Sequence, residues 1–587
     1  MSSLDLGELL SAPLAVPLSF SPDGSTLLLQ SDRSGSMQLY TVPVAGGELR
    51  QLTDLDEPAT GLYLPDGRVL VETDAGGNER TQLYLLAGDG ELEQLVVDPR
   101  YMHETPVVDP GGEVLAYATN RRNGVDFDVV ARSLATGEEH VFEVGGYSFV
   151  AGVSPDARFV VAMRLGAMSG DGDLFLLDRQ TGAAEHVTPH EPPAEFGNVV
   201  WAPDSASFLV ATDVDREFAA IKRYDLTTRT WTIVAEDDWD LSVGGDASGR
   251  TVVELANVDG YSRLRELVSG EEIPLPEAGV VEAVVCSPDG GQIAFAFSSP
   301  VSPHAVYAYD TGGRSLTKLT ELPAVAAGRL RRPELHRYAS FDGEEIPVFL
   351  FTPASGGPFP VVVTVHGGPE SQWRPLWVPS FAPLTQYLLS RGYAVAAPNV
   401  RGSSGYGKRY VHLDDMRLRP DSVADLASLH SWLATRPEID ASRAALYGRS
   451  YGGYMVLAGL AFQPELWSAG IEAVGLGNLV TFLERTSEYR RAAREREYGS
   501  LTDDREFMLE ISPGNHIERI RAPLLVQHGR NDPRVPVFES ETIHRQLTER
   551  GLRCELVIYE DEGHIIQKRA NRVDFFTRAG DFLDEVL

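Results

Sequence analysis

The sequence predicts two domains, an N-terminal seven-bladed β-propeller over residues 1–325 and a C-terminal doubly wound α/β domain over residues 326–587. Two observations predict them: a turn signal that recurs through the first half, and a change of hydrophobic period in the second half. A length of 587 residues also favours more than one domain. We expect a short segment before the first blade to pack on the C-terminal domain.

A recurring turn carries the propeller prediction. Its copies are SPDG at Ser21, LPDG at Leu64, DPGG at Asp109, SPDA at Ser154, APDS at Ala202, a weaker DASG at Asp246 and SPDG at Ser287. The copies are 41 to 48 residues apart, and each is followed by a β-rich run. In such turns proline presets φ, aspartate caps the turn and glycine supplies a positive φ.

Strand–turn–strand segments such as MQLYTVPVAGGELRQLT lie between the turns and alternate apolar with polar residues. Each period therefore holds about four strands, which is the size of one propeller blade. Seven copies at near-constant spacing favour a propeller over a β-sandwich. We find no enzymatic signature in this half of the sequence.

After a linker, ELPAVAAGRLRRPELHRY, strands alternate with helices. The candidate strands are IPVFLFT, PVVVTVH, YAVAAPNV, AALYG, GIEAVG, PLLVQHG and CELVIYE. Several of these are continuous apolar runs, as expected for strands buried on both faces of a parallel sheet. A helix is predicted near residues 423–435, with Leu426, Leu429 and Leu433 on one face. This alternation indicates a doubly wound α/β domain.

Composition narrows the class of protein. There are 51 basic and 85 acidic residues, and the net charge of −34 argues against nucleic acid or an anionic membrane as a partner. Cys286 and Cys554 have no metal-ligand spacing and make no disulfide framework. The N-terminus lacks signal-peptide features, and no apolar run approaches the roughly 18 residues of a membrane helix. We expect a cytoplasmic homo-oligomer without cofactor or metal.

The segment ALYGRSYGGYM contains the pattern G-x-S-x-G at Gly448–Gly452, between the predicted strand AALYG and a helix-like YMVLAGLAF. This context is the one that a nucleophile elbow requires, a sharp strand-to-helix turn that presents Ser450. Glycine is needed on both sides because a Cβ there would collide with neighbouring backbone. The C-terminal domain is therefore predicted to be an α/β-hydrolase with Ser450 as nucleophile.

A serine nucleophile needs a base, and in this fold the acid and then the histidine follow the serine along the chain. Asp532 follows the strand PLLVQHG, and His564 follows the strand CELVIYE. We expect His564 to take the proton from Ser450 and Asp532 to orient the imidazole. The competing candidates are interpreted as structural residues; they are His516, His528, Asp561 and Glu562.

An oxyanion hole is predicted from two backbone amides. One is the amide of Tyr451, the residue after the nucleophile. The other comes from the loop after VVVTVH, with Gly368 as first choice and Gly367 beside it. The alternative interpretation of that loop is an ordinary Gly-Gly turn.

The motifs HGGPES, NVRGSSGYG, GRSYGGYM, HGRNDPRVP and DEGH resemble the prolyl oligopeptidase family of serine peptidases, and within it the acylaminoacyl-peptidase branch. The resemblance implies a triad of Ser450, Asp532 and His564, and a propeller that restricts substrates to short peptides. Other branches place a tyrosine hydroxyl in the oxyanion hole, whereas this sequence has His366 there. Arg534 matches an arginine that the acylaminoacyl branch uses to hold a substrate carbonyl.

The resemblance favours an exopeptidase of the acylaminoacyl-peptidase type, and other types of activity stay open as alternatives. No convincing paired-glutamate motif for a free peptide amino terminus is found, which puts dipeptidyl-peptidase activity in doubt. The arginine-rich segment FLERTSEYRRAAREREYG could instead hold a peptide C-terminal carboxylate, which would make a carboxypeptidase-like exopeptidase. Phe482 and Tyr489 in that segment are candidates for an apolar substrate pocket. A carboxylesterase is the remaining alternative, because the same triad cleaves esters.

Overall fold

The computed structural model describes residues 3–88, 90–166, 168–191, 193–321, 325–326 and 328–587. Residues 322–324 and 327 of the predicted linker lie outside the described residues. The predicted boundary between residues 325 and 326 and the homo-oligomeric state stay predictions.

The first half forms a seven-bladed β-propeller, as predicted. The strands, blade by blade, are β1–β4 (Ala15–Phe20, Thr26–Ser31, Gln38–Pro43, Arg50–Gln51), β5–β8 (Ala59–Tyr63, Val69–Thr73, Gln82–Leu86, Leu92–Val96), β9–β12 (His103–Val108, Val114–Thr119, Asp128–Ser133, Glu139–Phe142), β13–β16 (Ser148–Val153, Phe159–Leu165, Gly172–Asp178, Ala183–His186), β17–β20 (Phe196–Trp201, Ser207–Thr212, Ala220–Asp225, Thr230–Ala235), β21–β23 (Leu241–Gly245, Val252–Val258, Tyr261–Glu266) and β24–β27 (Val280–Cys286, Gln292–Ser299, Ser302–Asp310, Ser315–Lys318).

Each recurring turn joins the first and second strands of its blade, and hydrogen bonds explain its composition. In the first copy the Ser21 hydroxyl donates to Asp23 at 2.7 Å, and Ser21 Oγ accepts the Thr26 amide at 3.0 Å. The same serine–aspartate bond recurs between Ser154 and Asp156 at 2.6 Å. The sixth blade, which carries the weakest copy of the turn, is a three-stranded sheet rather than the expected four.

The ring closes without strand exchange. Blade 1 is built from β1–β4 alone and blade 7 from β24–β27 alone. The two blades meet through side chains, with Phe20 and Leu27 of blade 1 in one apolar cluster with Ala294 and Val306 of blade 7. A hydrophobic seam, and no shared hydrogen-bonded ladder, therefore joins the first and last blades.

The second half is an eight-stranded sheet in the order β28-β29-β31-β30-β32-β33-β34-β35, antiparallel over its first two pairs and parallel beyond them. These strands are β28 (Glu334–Ala339), β29 (Glu345–Phe351), β30 (Phe359–Val365), β31 (Ala394–Pro398), β32 (Ile439–Arg449), β33 (Ala469–Ala473), β34 (Leu524–Gly529) and β35 (Cys554–Tyr559). The fold is the predicted α/β-hydrolase, with one further strand, β28, at its edge.

Helices cover both faces of this sheet. They are α1 (Leu6–Ser11), α2 (Ala382–Ser390), α3 (Lys408–Val411), α4 (Arg419–Leu433), α5 (Tyr451–Phe462), α6 (Leu479–Arg485), α7 (Glu488–Tyr498), α8 (Arg505–Ile511), α9 (Phe538–Glu549) and α10 (Arg569–Val586), with short 3₁₀ segments at His412–Asp414, Met416–Leu418 and Pro513–Arg519. Successive residues of β30 serve opposite faces: Val361 and Val363 pack under α4 and α5, and Val362 packs under α2 and α10.

Helix α1 precedes the propeller in sequence but lies in the hydrolase core. Leu9 and Leu10 are buried there with Leu384 of α2 and Phe575 of α10. Asp5 caps the helix by accepting the Glu8 amide at 2.7 Å. The chain therefore leaves the hydrolase, builds the propeller and returns to the hydrolase.

Leu9→Ala is expected to destabilise the protein by about 2–5 kcal/mol, because it removes a fully buried side chain and leaves a cavity. Urea unfolding followed by tryptophan fluorescence measures the change. Ser11→Ala, an exposed position on the same helix, is the control and is expected to stay within about 0.5 kcal/mol of the parent. Equal effects of the two changes would contradict the assigned packing of α1.

Candidate active site

Ser450 lies at a strained turn between β32 and α5. Its φ of 59° and ψ of −121° fall in a region that non-glycine residues rarely adopt. A Cβ on Gly448 would lie 2.2 Å from the Gly452 carbonyl oxygen, and one on Gly452 would lie 2.2 Å from the Val365 carbonyl oxygen. The glycines of the motif are therefore required by direct backbone contact, and the turn holds Ser450 at the carboxyl edge of the sheet.

The predicted acid and base meet at the same edge. Asp532 follows β34 and His564 follows β35, and His564 Nδ1 lies 2.7 Å from Asp532 Oδ2. The other carboxylate oxygen, Oδ1, accepts the amides of Arg534 at 2.8 Å and Val535 at 3.0 Å. Because both oxygens are engaged, the carboxylate is fixed in the orientation that a triad needs.

The charges around this pair suit a general base. Burial alone would raise the pKa of Asp532, but the facing His564 and His528 rings hold it well below its usual range. Burial lowers the pKa of His564, and the nearby Arg534 and Arg449 lower it further against the pull of Asp532. His564 is therefore neutral at neutral pH, the form that can accept a proton.

Ser450 and His564 line one cavity of about 410 Å³. Its wall contains the following residues: Pro300, Phe351, His366, Gly367, Gly368, Glu370, Ser371, Gln372, Trp373, Arg374, Leu376, Val378, Ser380, Phe381, Ala382, Thr385, Gln386, Arg449, Ser450, Leu476, Phe482, Arg490, Arg494, Tyr498, Arg534, Val535, His564 and Ile565. Most of them belong to the hydrolase, and Pro300 comes from the propeller. The cavity is large enough for a small part of a peptide.

Both predicted oxyanion donors lie beside the nucleophile. Tyr451 is the first residue of α5, so its amide has no acceptor within the helix. Gly367 and Gly368 line the cavity, and a Cβ on Gly367 would lie 3.3 Å from Ser450 Cβ. The His366 ring is engaged elsewhere, with Nδ1 2.8 Å from the Gly367 carbonyl oxygen and Nε2 2.8 Å from Ser403 Oγ.

The predicted substrate residues divide into two groups. Arg534 and Phe482 line the cavity. Tyr489 is not among the residues that line it, and its ring packs instead against Phe127 and Tyr147 of the propeller, with centroids 6.0 and 6.1 Å away. The structure therefore places Tyr489 at the domain interface.

The arginine-rich segment is mostly helix α7, and its arginines have different surroundings. Arg490 and Arg494 line the cavity. Arg491 donates to the Leu483 carbonyl at 2.9 Å, and Arg496 donates to the Gly166 carbonyl of the propeller at 3.0 Å. Arg485 stacks over Phe538 at 3.9 Å. Two of the five arginines thus face the site.

A propeller loop supports the catalytic loops. It joins β6 to β7, and Gly76 accepts the Asn531 side chain at 2.9 Å, next to Asp532. Glu79 in the same loop lies 2.5 Å from Arg534 Nε. A Cβ on Gly77 would lie 2.8 Å from the Gly563 amide, next to His564. One loop of blade 2 therefore touches both the acid-bearing and the base-bearing loops.

Several residues of the site were missed by sequence reasoning. Glu370 follows the HGGP motif, lines the cavity and shares the propeller hydroxyl of Ser169 with Glu497, at 2.5 Å to each carboxylate. Burial raises the pKa of Glu497, and the facing Arg419 acts against this rise. The motif itself was visible, but its propeller partner is 201 residues away in sequence.

The residues interpreted as structural alternatives have defined partners. His516 Nε2 lies 2.7 Å from the Glu510 carbonyl oxygen, and Asp561 pairs with Lys568 at 2.8 Å. Glu562 accepts two backbone amides of the following loop at 3.0 Å. His528 differs from these, because its Nε2 lies 3.4 Å from Asp532 Oδ2. His528 is therefore a neighbour of the predicted triad.

One group of carboxylates has the geometry of a cation site. Asp414, Asp415 and Glu497 present ligand atoms within 4.8 Å of one another. Arg419, however, is buried between Asp414 and Glu497 and pairs with both. The guanidinium supplies the positive charge that these two carboxylates require, so the group fits an internal ion-pair network better than a metal.

The profile of the prolyl oligopeptidase family matches residues 379–587. The hydrolase half of this chain is therefore similar to the prolyl oligopeptidase family over most of its length. It is a serine-type peptidase.

Relatives extend the similarity to the propeller. Dipeptidyl aminopeptidase BIII of Pseudoxanthomonas mexicana is 26% identical over 611 residues, which covers 98% of this chain and 87% of that protein. The acylamino-acid-releasing enzyme of Homo sapiens is 27% identical over 249 residues, 41% of this chain and 34% of that protein. A Mycobacterium tuberculosis puromycin-hydrolyzing peptidase has the same fold, with a TM-score of 0.86, 20% identity and coverage of 100% and 96%.

Within the described residues, no helix is long and apolar enough to cross a membrane.

The acidic limb of the kcat/KM profile reports the pKa of the general base in the free enzyme. Because the pKa of His564 is lowered, we expect this limb below the ordinary histidine pKa of about 6.5. Below the limb His564 is protonated and cannot accept the proton of Ser450. Turnover of an uncharged N-acetyl aminoacyl anilide across pH measures it. In Arg534→Ala the limb should move to higher pH, since a cation facing His564 is removed. A limb at or above 6.5 in the parent enzyme would contradict this assignment.

Proposed function

We propose that this serine peptidase is an exopeptidase of the acylaminoacyl-peptidase type, which releases an N-acylated residue from short peptides. The observation that carries the proposal is the charge of the catalytic cavity. Five arginines line it, against one carboxylate, Glu370; they are Arg374, Arg449, Arg490, Arg494 and Arg534. Such a wall favours neutral or anionic substrate groups over a free ammonium group.

The carboxylates nearest to these arginines do not offer a free negative charge. Glu370 is held by Arg494 and the Ser169 hydroxyl. Glu79 pairs with Arg534 at 2.5 Å. Burial raises the pKa of Glu104, a propeller residue near Arg490 and Arg534, to about 7. A blocked amino terminus needs none of these charges, whereas a free ammonium would have to compete with an arginine for them.

The proposed mechanism is acyl transfer through the triad. Ser450 Oγ attacks the scissile carbonyl carbon while His564 takes its proton, and Asp532 stabilises the imidazolium that forms. The amide of Tyr451 and an amide of the Gly367–Gly368 loop hold the oxyanion. His564 then protonates the departing amine, and water repeats the cycle to release the acylated residue. The propeller over the cavity limits substrates to short peptides.

A second candidate, a carboxypeptidase-like activity, has one observation in its favour. Arg490 and Arg494 both line the cavity, and a guanidinium pairs well with a carboxylate. A peptide C-terminus could therefore bind at this wall. Arg494 already faces Glu370, which leaves Arg490 as the arginine to test.

A peptide panel with one internal sequence distinguishes the activities. Peptides with a free, an N-acetylated or a C-amidated end are incubated with the enzyme, and products are identified by mass spectrometry. We expect the acetylated peptides to be cleaved fastest, after the acetylated residue, whether or not the C-terminus is amidated. Release of dipeptides from free amino ends would support the dipeptidyl-peptidase alternative and contradict the proposal.

The same panel needs two controls. Ser450→Ala should abolish every product, which assigns the activity to this site. A simple ester of the acetylated residue should not exceed the matching peptide in kcat/KM by orders of magnitude; if it does, the carboxylesterase alternative is favoured.

Arg490→Gln tests the second candidate. If the C-terminus is not bound, the change should alter free-acid and amidated acetyl peptides equally, to within about threefold, the size of a weak exposed charge effect. Arg491→Gln, which removes a side chain on the same helix that bonds the Leu483 carbonyl, is the matched control. A selective rise in KM for free-acid peptides in Arg490→Gln alone would favour the carboxypeptidase-like activity.

A further inference from the structure

A continuous line of buried polar groups runs behind the proposed triad. Glu472 of β33 lies 3.3 Å from Ser540 Oγ of α9, and Ser540 Oγ lies 2.7 Å from His528 Nδ1 of β34. His528 Nε2 lies 3.4 Å from Asp532 Oδ2, and Asp532 contacts His564. The line therefore begins at Glu472, inside the hydrolase, and ends at His564, the proposed general base.

The three rear groups are buried and belong to three different elements. Glu472, Ser540 and His528 are each 0% exposed, and none of them lines the catalytic cavity. Burying an ionisable side chain costs free energy unless its polar atoms are paired. The protein nevertheless buries the Glu472 carboxyl group and the His528 imidazole close to Asp532, at positions where apolar side chains could pack.

The hydrogen-bond partners fix how His528 is protonated. Nε2 faces two acceptors, the Val535 carbonyl oxygen at 2.9 Å and Asp532 Oδ2 at 3.4 Å, so it carries a proton. Nδ1 faces the Ser540 hydroxyl, which in turn reaches Glu472. Glu472 is itself anchored by the Gly475 amide at 2.7 Å. The ring is thus held at both nitrogens and cannot rotate away from Asp532.

We propose that His528 is a positioning residue of this peptidase, which holds the Oδ2 oxygen of Asp532 toward His564 and is itself fixed by Ser540 at Nδ1 and by the Val535 carbonyl at Nε2. The inference rests on the proposed triad. Asp532 Oδ1 is held by two backbone amides, and Oδ2 is shared by two histidines, one on each side. Without His528, His564 is the one remaining histidine beside Oδ2.

Charge acts in the same direction as geometry. The charged or titratable groups that face His528 are Asp532 and Glu472, and Glu539 faces Glu472 from α9. His564, and with it the nearby His528, lowers the pKa of Asp532 against the effect of burial. Removing the His528 donor makes Asp532 more basic, which stabilises protonated His564 and moves the acidic limb of kcat/KM to higher pH. Loss of packing alone does not move that limb.

The test compares three variants in the full-length protein. His528→Leu removes both ring nitrogens, and His528→Gln keeps an amide donor near the position of Nε2. His430→Gln is the control, because His430 of α4 contacts the Ala441 carbonyl of β32 at 2.9 Å, away from the proposed triad. We expect His528→Leu to lower kcat by about 10²-fold, the cost of a misplaced catalytic group, with KM within about twofold. Its acidic limb should rise, and His528→Gln should recover most of kcat.

His528→Leu removes one contact from each of three buried polar groups and can reduce the folded fraction, so each rate is normalised to the fraction of protein with native circular dichroism. Ser540→Ala is a fourth variant, and it removes only the hydroxyl that contacts Nδ1 of the His528 ring. We expect it to lower kcat less than His528→Leu and to move the acidic limb in the same direction.

The inference is overturned if the folded His528→Leu and Ser540→Ala proteins keep kcat and the acidic limb of the parent. It is also overturned if His528→Gln is as impaired as His528→Leu at equal folded fraction. Failure of the triad would look different, because Ser450→Ala would then retain turnover and a fluorophosphonate probe would not label Ser450. Both readouts use the N-acetyl anilide and its ester, so they do not depend on which peptide end is recognised.

Discussion

The site depends on one close backbone crossing, in which the start of helix α5 passes against the end of β30. Gly452 meets the Val365 carbonyl so tightly that a Cβ would lie 2.2 Å from that oxygen, and Gly448 meets Gly452 at the same distance. This contact forces Ser450 into its positive φ and points the helix start at the nucleophile. The adjoining loop after β30 then supplies Gly367 beside the serine.

Around this crossing, polar groups are ordered by other buried polar groups rather than by solvent. Asp532 is held by two amides and two rings, and behind it the hydrolase contributes Ser540 and Glu472. In front of it, the blade 2 loop of the propeller contacts the loops of Asp532 and His564. The catalytic geometry is therefore a property of both domains together, because neither one alone surrounds the acid and the base.

Short sequence patterns were sufficient to predict the propeller, the hydrolase sheet and the turn at Ser450. The elbow at Ser450 and the serine–aspartate turns are determined by neighbours within a few residues, so their sequence patterns carry their geometry. Contacts between distant segments could not be predicted. Glu79 and Arg534, for example, are 455 residues apart in sequence, and no pattern in either segment indicates that they pair. His528 was interpreted as structural because only its pairing with Asp532, not its position in a strand, distinguishes it. Tyr489 lies in the segment that was singled out, but its rotation about α7 turns it to the propeller.

The hydrophobic seam is the place where the propeller ring can open with the least resistance, because no covalent connection joins blade 1 directly to blade 7. Separating any other pair of neighbouring blades stretches a covalent connection, whereas parting this pair exposes the apolar side chains of the seam, at about 25 cal/mol for each Å². Both chain connections to the hydrolase, the one after α1 and the one after β27, leave from these two blades. The first and last blades are thus each connected by the chain to the hydrolase. A separation of these two blades would therefore act on both connections to the hydrolase.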